Sequence, residues 1–134
     1  MGREVVQPPG IARPRAPYSP VVVSGDLVFT AGQVAFDEDG NLVPGGIREQ
    51  TAQVLDNLAA CLGAAGCTFD DVVKVTAFLA DLADFEAFND VYGARFATAP
   101  PARSTVGVAL PGGILVEIEA IARRAIAGEG SAIG

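Results

Sequence analysis

The sequence predicts one α+β domain in which two helices cover one face of a β-sheet. Three observations indicate this class: β-branched runs divided by turn residues, two segments with helical periodicity, and alternating segments that follow each helix. The chain has 134 residues, half of them apolar, which suits one domain with one hydrophobic core. We therefore expect residues 1–134 to form a single domain, with 125–134 as a flexible tail of no assigned role.

The first part of the chain predicts an extended arm followed by a β-hairpin. Prolines punctuate residues 1–17 and exclude a helix or a central strand there. In SPVVVSGDLVFTAGQVAF, two β-branched runs flank Ser24-Gly25-Asp26, which is typical of a hairpin. The acidic turn DEDGN is interpreted as a solvated loop, because Arg48 stands where an EF-hand loop that begins at Asp37 needs its last glutamate.

Two segments have the period of an amphipathic helix. The first begins at Gly46 and is expected to end near Gly66, which can adopt the left-handed conformation of a helix C-terminus. The second covers residues 84–96, with Asp84 as its expected N-cap. Its apolar face is aromatic and consists of Phe85, Phe88, Tyr92 and Phe96.

Further alternation predicts strands at residues 72–80, 103–109 and 114–123. Only residues 110–113 separate the last two strands, so the expected pairing is an antiparallel hairpin. In the strand at 72–80, the expected core face consists of Val73, Val75, Ala77 and Leu79.

The outer face of the last strand is mixed in character. It consists of Leu115, Glu117, Glu119 and Ile121. Such a face is too apolar for bulk water and too polar for a dry core, which is typical of a subunit interface. We therefore expect a homo-oligomer that buries this face.

Composition excludes several classes of function. The net charge is −7 and Lys74 is the only lysine, whereas nucleic-acid binding needs clustered Lys and Arg. No apolar run approaches the ~20 residues of a membrane span, and the charged, proline-rich N-terminus is unlike a signal peptide. We expect a cytoplasmic protein that binds neither nucleic acid nor membranes.

The chain contains no histidine, which removes Ser-His-Asp and Cys-His mechanisms and the commonest metal ligand. Cys61 and Cys67 are too few for a disulfide framework or a zinc cluster. Cys61 falls on the helical pattern and is interpreted as a small apolar core residue rather than a reactive thiol.

Charged side chains interrupt the predicted strands, and a buried charge needs a partner. In the expected hairpin Arg103 and Glu117 lie near its open end. Two interpretations stay open: an ion pair that holds the hairpin or interface, or a pocket in which Arg103 binds a substrate carboxylate and Glu117 addresses a water or proton. Lys74 is interpreted as an amine at the sheet rim, with a Schiff-base lysine as the alternative.

Four ordered motifs carry a specific resemblance. They are APYSPVVVSGDLVFTAGQ, QTAQVLDNLAACLGAAG, DVVKVTAFLADLADFEAFNDVYGARF and PPARSTVGVALPGGILVEIEAIA. Together they resemble the Rid family, the YjgF-like reactive-intermediate deaminases of the liver perchloric-acid-soluble protein group, over about residues 14–125.

The resemblance implies a chorismate-mutase-like α+β fold with a mixed sheet. It also implies a homotrimer whose sheets line a central barrel, with active sites in the clefts between subunits. The implied activity is hydrolysis of 2-imino and 2-enamino acids, such as 2-aminoacrylate, to 2-keto acids and ammonia. No metal and no cofactor are expected.

Matching motifs assign roles to three residues. By resemblance, Arg103 binds the substrate carboxylate, Glu117 orients or activates the attacking water, and Tyr18 lines the same cleft. The residues alone favour a packing role for Tyr18, before a strand that prolines bound.

Five further positions match the substrate-binding part of the family site. Gly32 and Gln33 correspond to the pocket wall, and Asn89 corresponds to an asparagine of the second helix. Ala31 stands where the family often has serine, and Thr105 where many deaminases have cysteine. A lost hydroxyl removes a hydrogen bond worth roughly 1–3 kcal/mol.

Two other functions compete with the deaminase. One is a non-enzymatic protein that binds a small carboxylate or regulates a partner enzyme, an alternative that Ala31 keeps open. The other is a nuclease, which the acidic composition and the absence of histidine disfavour.

Overall fold

The computed structural model describes residues 2–96 and 98–125, which form a six-stranded mixed sheet packed against two helices. The strands are β1 (Glu4–Val6), β2 (Val21–Ser24), β3 (Leu27–Thr30), β4 (Val72–Leu79), β5 (Ala102–Gly107) and β6 (Val116–Arg123). The helices are α1 (Ile47–Ala64) and α2 (Phe85–Arg95). The α+β class is confirmed. Of the expected tail, only Ala125 lies within the described residues.

The N-terminal hairpin is confirmed. β2 and β3 pair antiparallel, with Ser24 opposite Leu27 and Gly25 at a φ of 61° in the turn. Glycine adopts this left-handed conformation without steric cost, which allows the tight connection. The arm contributes β1, which pairs with β2 at the edge of the sheet.

The expected hairpin between the last two strands is wrong. The strand order is β1-β2-β3-β6-β4-β5, so β4 lies between β5 and β6. β5 runs parallel to β4, whereas β6 is antiparallel to both β3 and β4. Since α2 connects β4 to β5, the chain returns to the same end of the sheet and β5 adds parallel to β4.

A β-bulge at the start of β4 changes which face of the sheet its first side chains point to. The pairing with β6 shifts register between Val72 and Lys74, so Val72 is buried and Val73 is 50% exposed. The expected core position of Val73 is therefore wrong, because an extra residue in one strand inverts the alternation beyond it. From Val75 onward the expected core face is buried.

Both ends of α1 have clear local signals. The Gly46 N–H donates to Glu49 Oε1 at 2.8 Å, and this hydrogen bond lowers the pKa of Glu49. At the other end Gly66 has a φ of 81°, and the Cys67 N–H donates to the Leu62 carbonyl at 2.8 Å. This Schellman motif explains the predicted stop near Gly66.

The start of α2 differs from the expectation. The Asp84 side chain makes no capping hydrogen bond. Instead, Asp81 accepts a hydrogen bond from the Ala83 N–H at 2.9 Å and caps a 3₁₀ turn, Leu82–Asp84, that leads into the helix. A 3₁₀ turn before a helix moves the capping position forward along the chain.

The core lies between the helices and one face of the sheet. Its largest fully buried side chains include Phe88, Leu55, Leu58, Leu62, Leu79 and Ile118. Cys61 is fully buried among them, which confirms its interpretation as a core residue, and burial raises the pKa of its thiol to about 12.

Two buried amides of α1 hold two loops. Gln50 donates to the Gly113 carbonyl and accepts from the Leu115 N–H, both at 2.9 Å. Asn57 donates to the Val34 and Phe36 carbonyls at 3.1 and 3.0 Å. Each loop carbonyl that is removed from water thus gains a partner, which offsets its desolvation.

Neither described helix covers the opposite, outer face of the sheet. Phe29 and Val106 on this face are 38% and 44% exposed, beside the half-buried Glu117 and the exposed Glu119. The mixed composition expected for this face is present. Within the described ranges, neither helix is long and apolar enough to cross a bilayer.

Candidate functional site

Arg103 lies over an aromatic surface of α2. Its Cζ is 4.7 Å from the ring centroid of Tyr92, 5.4 Å from that of Phe88 and 5.7 Å from that of Phe85. Ring faces attract a guanidinium group through their quadrupole. The aromatic face predicted for the second helix therefore has two roles, since it packs in the core and supports the arginine.

Arg103 has no carboxylate partner among the described residues, where the ion pairs join other arginines to aspartates. The guanidinium remains charged at every physiological pH, and its hydrogen-bond donors suit a bidentate anion. The ion-pair interpretation of Arg103 is therefore not met within the described chain. An anionic ligand fits this environment.

Two buried hydroxyls beside Arg103 also lack partners. Thr105 Oγ1 and Tyr92 Oη are buried and make no hydrogen bond of acceptable geometry within the described ranges. Burial raises the pKa of Tyr92, while the charge of Arg103 and a contact with its side chain oppose that rise. Buried polar groups usually have partners, so these hydroxyls are free to meet a bound molecule.

Asn89 lies on the same side of α2, one helical turn after Phe85. It is half-buried. We call Arg103, Thr105 and Asn89 the arginine half-site.

A second group of predicted residues meets at Gly32. A Cβ on Gly32 would lie 2.8 Å from Glu117 Cδ and closer still to Oε2, so the carboxyl group occupies the space of a side chain there. Gln33 bridges to β6, donating from its N–H to the Ile118 carbonyl at 2.8 Å. This bridge fixes Gly32 against Glu117.

The environment of Glu117 favours its protonated form. Burial raises the pKa of Glu117, and the neighbouring charge of Glu119 raises it further. A carboxyl group with a raised pKa can both accept and donate a proton closer to neutral pH, as general acid–base chemistry requires.

A cleft of about 310 Å³ opens beside Gly32 and Gln33. It lies between the N-terminal arm and the loop after β3, and Tyr18 lines it with its side chain 55% exposed. Ala31 precedes this wall, and its N–H donates to the Pro20 carbonyl at 2.8 Å. We call Tyr18, Ala31, Gly32, Gln33 and Glu117 the glutamate half-site.

The two half-sites face opposite sides of one sheet. Arg103 pairs with Val75, which points into the core, whereas Glu117 pairs with Phe78 on the outer face. The expected closeness of Arg103 and Glu117 through a hairpin is therefore wrong for a single chain. Each half-site is intact, but β4 separates them.

Lys74 lies outside both half-sites. Its Nζ donates to Ser104 Oγ at 3.0 Å on the outer face. The amine thus lies at the surface of the sheet, which agrees with its interpretation as a side chain that extends toward solvent. The described residues contain no group of three or more Asp, Glu or Cys side chains that could hold a metal ion.

Sequence reasoning missed three residues near these half-sites. The helical pattern predicts Tyr92 only as part of an apolar face, although an aromatic stripe that precedes an arginine-bearing strand could indicate a cation–π contact. Arg13 and Arg15 line the cleft, whereas the prolines predict only an extended arm there. The segment Arg13-Pro14-Arg15 places two arginines close together, and this pattern could have indicated a positively charged cleft wall.

Comparison with known proteins identifies the class to which this fold and site belong. The family model described as Endoribonuclease L-PSP matches residues 10–124. The chain belongs to this family, the Rid group that its motifs resemble.

Individual relatives support the same family membership. A RutC family protein of Pyrococcus abyssi is 44% identical over 91% of this chain and 98% of its own length. The 2-iminobutanoate/2-iminopropanoate deaminase of Capra hircus is 49% identical over 79% of each chain. The crystal structure of E. coli TdcF with bound serine superposes with a TM-score of 0.85 at 35% identity, covering 91% of this chain and 99% of that one.

Proposed function

We propose that this protein is a deaminase that hydrolyses small 2-imino and 2-enamino acids, such as 2-aminoacrylate, to 2-keto acids and ammonia, without a cofactor. The observation that carries the proposal is Arg103, a charged and partly buried guanidinium with aromatic support and no carboxylate partner. The deaminase name of the Capra hircus relative and the serine bound to TdcF support the same chemistry.

The proposed assembly is a homotrimer that joins the arginine half-site of one protomer to the glutamate half-site of the next. The opposite facing of Arg103 and Glu117 supports this arrangement, because one chain alone does not bring them to one ligand. The mixed outer face of the sheet would be buried in the same assembly.

In the proposed reaction, the Arg103 guanidinium binds the substrate carboxylate in a bidentate contact and so fixes C2. The Glu117 carboxylate accepts a proton from a water as that water attacks C2. Glu117 returns this proton to the imine nitrogen, which completes the carbinolamine. The carbinolamine hydroxyl then gives its proton to the nitrogen, the C2–N bond breaks, and the keto group and ammonia form. In the net reaction, one imine and one water are converted to one keto acid and one ammonia.

The test measures keto-acid release from imino acids that an amino-acid oxidase generates in the assay. We expect the protein to accelerate release and Arg103→Ala to lower kcat/KM roughly 100-fold or more, because two charge-assisted hydrogen bonds are lost. Arg48→Ala is the matched control, since Arg48 is exposed and pairs with Asp90 on the helices.

Absence of acceleration with every imino acid tried would contradict a deaminase. Binding of 2-keto acids without turnover would instead favour the carboxylate-binding alternative. Sedimentation of the unmodified protein tests the assembly, and a monomer at assay concentrations would contradict the composite site.

A further inference from the structure

Two guanidinium groups line the cleft beside the glutamate half-site. Arg13 and Arg15 come from the arm and share the cleft wall with Tyr18 and Gln33. They are two positions apart, on either side of Pro14, and both line the same wall of the cleft. Two like charges therefore converge on one concave surface.

Neither arginine has a partner among the described residues, although the chain carries 16 acidic side chains. Three other arginines form ion pairs: Arg48 with Asp90, Arg95 with Asp56, and Arg123 with Asp26. In an acidic protein, two unpaired cations in one cleft leave a local site for an anion.

Arg15 reaches across the cleft. A Cβ on Gly40, in the loop that forms the opposite wall, would lie 3.5 Å from Arg15 Nη2. This is an ordinary van der Waals distance, so the guanidinium lies directly beside the loop. A ligand that enters the cleft between arm and loop would therefore meet the guanidinium directly.

The cleft begins where the proposed reaction takes place. Gly32 contacts the Glu117 carboxyl group and also lines the cleft. With the substrate 2-carboxylate on Arg103 of a neighbouring protomer and C2 beside Glu117, the substrate side chain would extend into this cleft. The charge at its far end would then face Arg13 and Arg15.

We infer that Arg13 and Arg15 select 2-imino acids with a second, distal carboxylate, so that the preferred substrates are imines of acidic amino acids. The inference rests on the proposed function for its substrate. The reaction is unchanged, because the distal carboxylate takes no part in bond making. A reaction that oxidises the C2–N bond of an acidic amino acid must supply such an imine.

Binding of the stable product analogues tests this selection. 2-Oxopentanedioate and 2-oxopentanoate have the same carbon chain and differ only in the distal carboxylate. We expect the unmodified protein to bind the diacid at least tenfold more tightly at near-physiological salt, as charge-assisted hydrogen bonds allow. Calorimetry gives the ratio of the two dissociation constants.

The variants are Arg13→Gln, Arg15→Gln and the double substitution, with Arg3→Gln as control. Arg3 is exposed and does not line the cleft, so Arg3→Gln matches the change in charge alone. The double variant should bring the affinity ratio near one, while Arg3→Gln should leave it unchanged. Glutamine keeps most of the side-chain length, and the exposed positions limit any effect on folding.

Equal affinities in the unmodified protein, no binding of either acid, or a ratio that survives the double substitution would overturn the inference. Turnover of 2-iminopentanoate alongside any of these results leaves the proposed deaminase intact. If the protein hydrolyses no imine, the proposed deaminase activity is contradicted. The ratio of the two dissociation constants still tests whether Arg13 and Arg15 select a second carboxylate.

Discussion

Arg103 and Glu117 point to opposite faces of the same sheet, with β4 between their strands. One side chain rests on the aromatic surface of α2, and the other packs against Gly32. In the proposed assembly, a ligand held by both side chains lies between two protomers. The predictions below test the parts of this proposed site and the core beneath it.

Gly32→Ala should reduce activity by displacing the Glu117 carboxyl group, whose atoms occupy the space of the new Cβ. We expect a loss of roughly tenfold or more in kcat/KM, since small displacements of reacting groups have large kinetic effects. Gly63→Ala is the control, because its Cβ would meet nothing within 4 Å. Gly63→Ala should preserve activity and stabilise α1 by about 0.5–1 kcal/mol. Equal activities would refute the packing argument.

Glu117→Gln should raise thermal stability at neutral pH while lowering kcat roughly 100-fold through loss of the proton acceptor. The raised pKa of Glu117 means that the folded protein binds this proton more tightly than the unfolded chain does. The associated stability is complete below the unfolded pKa, near 4.5, and is lost as the pH rises through the raised pKa.

Thermal unfolding measured between pH 3.5 and 8 tests the direction of this pH dependence. The stability difference between Glu117→Gln and the unmodified protein should grow with pH and then level off. A difference that shrinks as the pH rises would contradict the raised pKa.

Tyr92→Leu should weaken substrate binding because Arg103 loses its nearest aromatic ring. A cation–π contact of about 0.5–2 kcal/mol corresponds to a rise in KM of roughly 2- to 30-fold, with less effect on kcat. Tyr92→Phe keeps the ring, so its KM should rise less than that of Tyr92→Leu. Phe96→Leu removes a neighbouring core ring that does not contact Arg103, so it should lower stability without raising KM. Similar KM changes in Phe96→Leu and Tyr92→Leu would indicate a general packing effect.

Cys61 should resist thiol reagents in the native protein. Its pKa of about 12 leaves roughly one thiol in ten thousand ionised at pH 8, and burial blocks access to the sulfur. Mass spectrometry after a short maleimide treatment should find Cys61 unmodified until denaturant is added. Rapid labelling under native conditions would show that α1 separates from the sheet.

The sequence predicts which segments form helices and strands better than it predicts which strands pair with each other. Hydrophobic period and the signals at Gly46, Gly66 and Ser24-Gly25-Asp26 are local, and they placed the helices and the first hairpin. The position of β6 between β3 and β4 depends on long-range pairing, which no local pattern encodes. The bulge at Val72 depends on the partner strand in the same way, so the facing of Val73 was wrong.

The candidate site shows the same contrast between what the sequence motifs predict and what depends on long-range contacts. The motifs placed Gly32 and Gln33 together with Glu117, because the bridge to Ile118 follows from the common fold. The aromatic support of Arg103 was missed, because a stripe on one helix does not reveal which strand crosses it.

The two amides of α1 constrain the length of this helix. Gln50 and Asn57 are seven residues apart, which is nearly two full turns and about 10 Å along the axis. One inserted or deleted residue between them would rotate one amide by about 100° and release its loop from the helix. Evolution of this chain can therefore vary the exposed side of α1 freely, whereas the spacing between these positions tolerates no single-residue insertion or deletion.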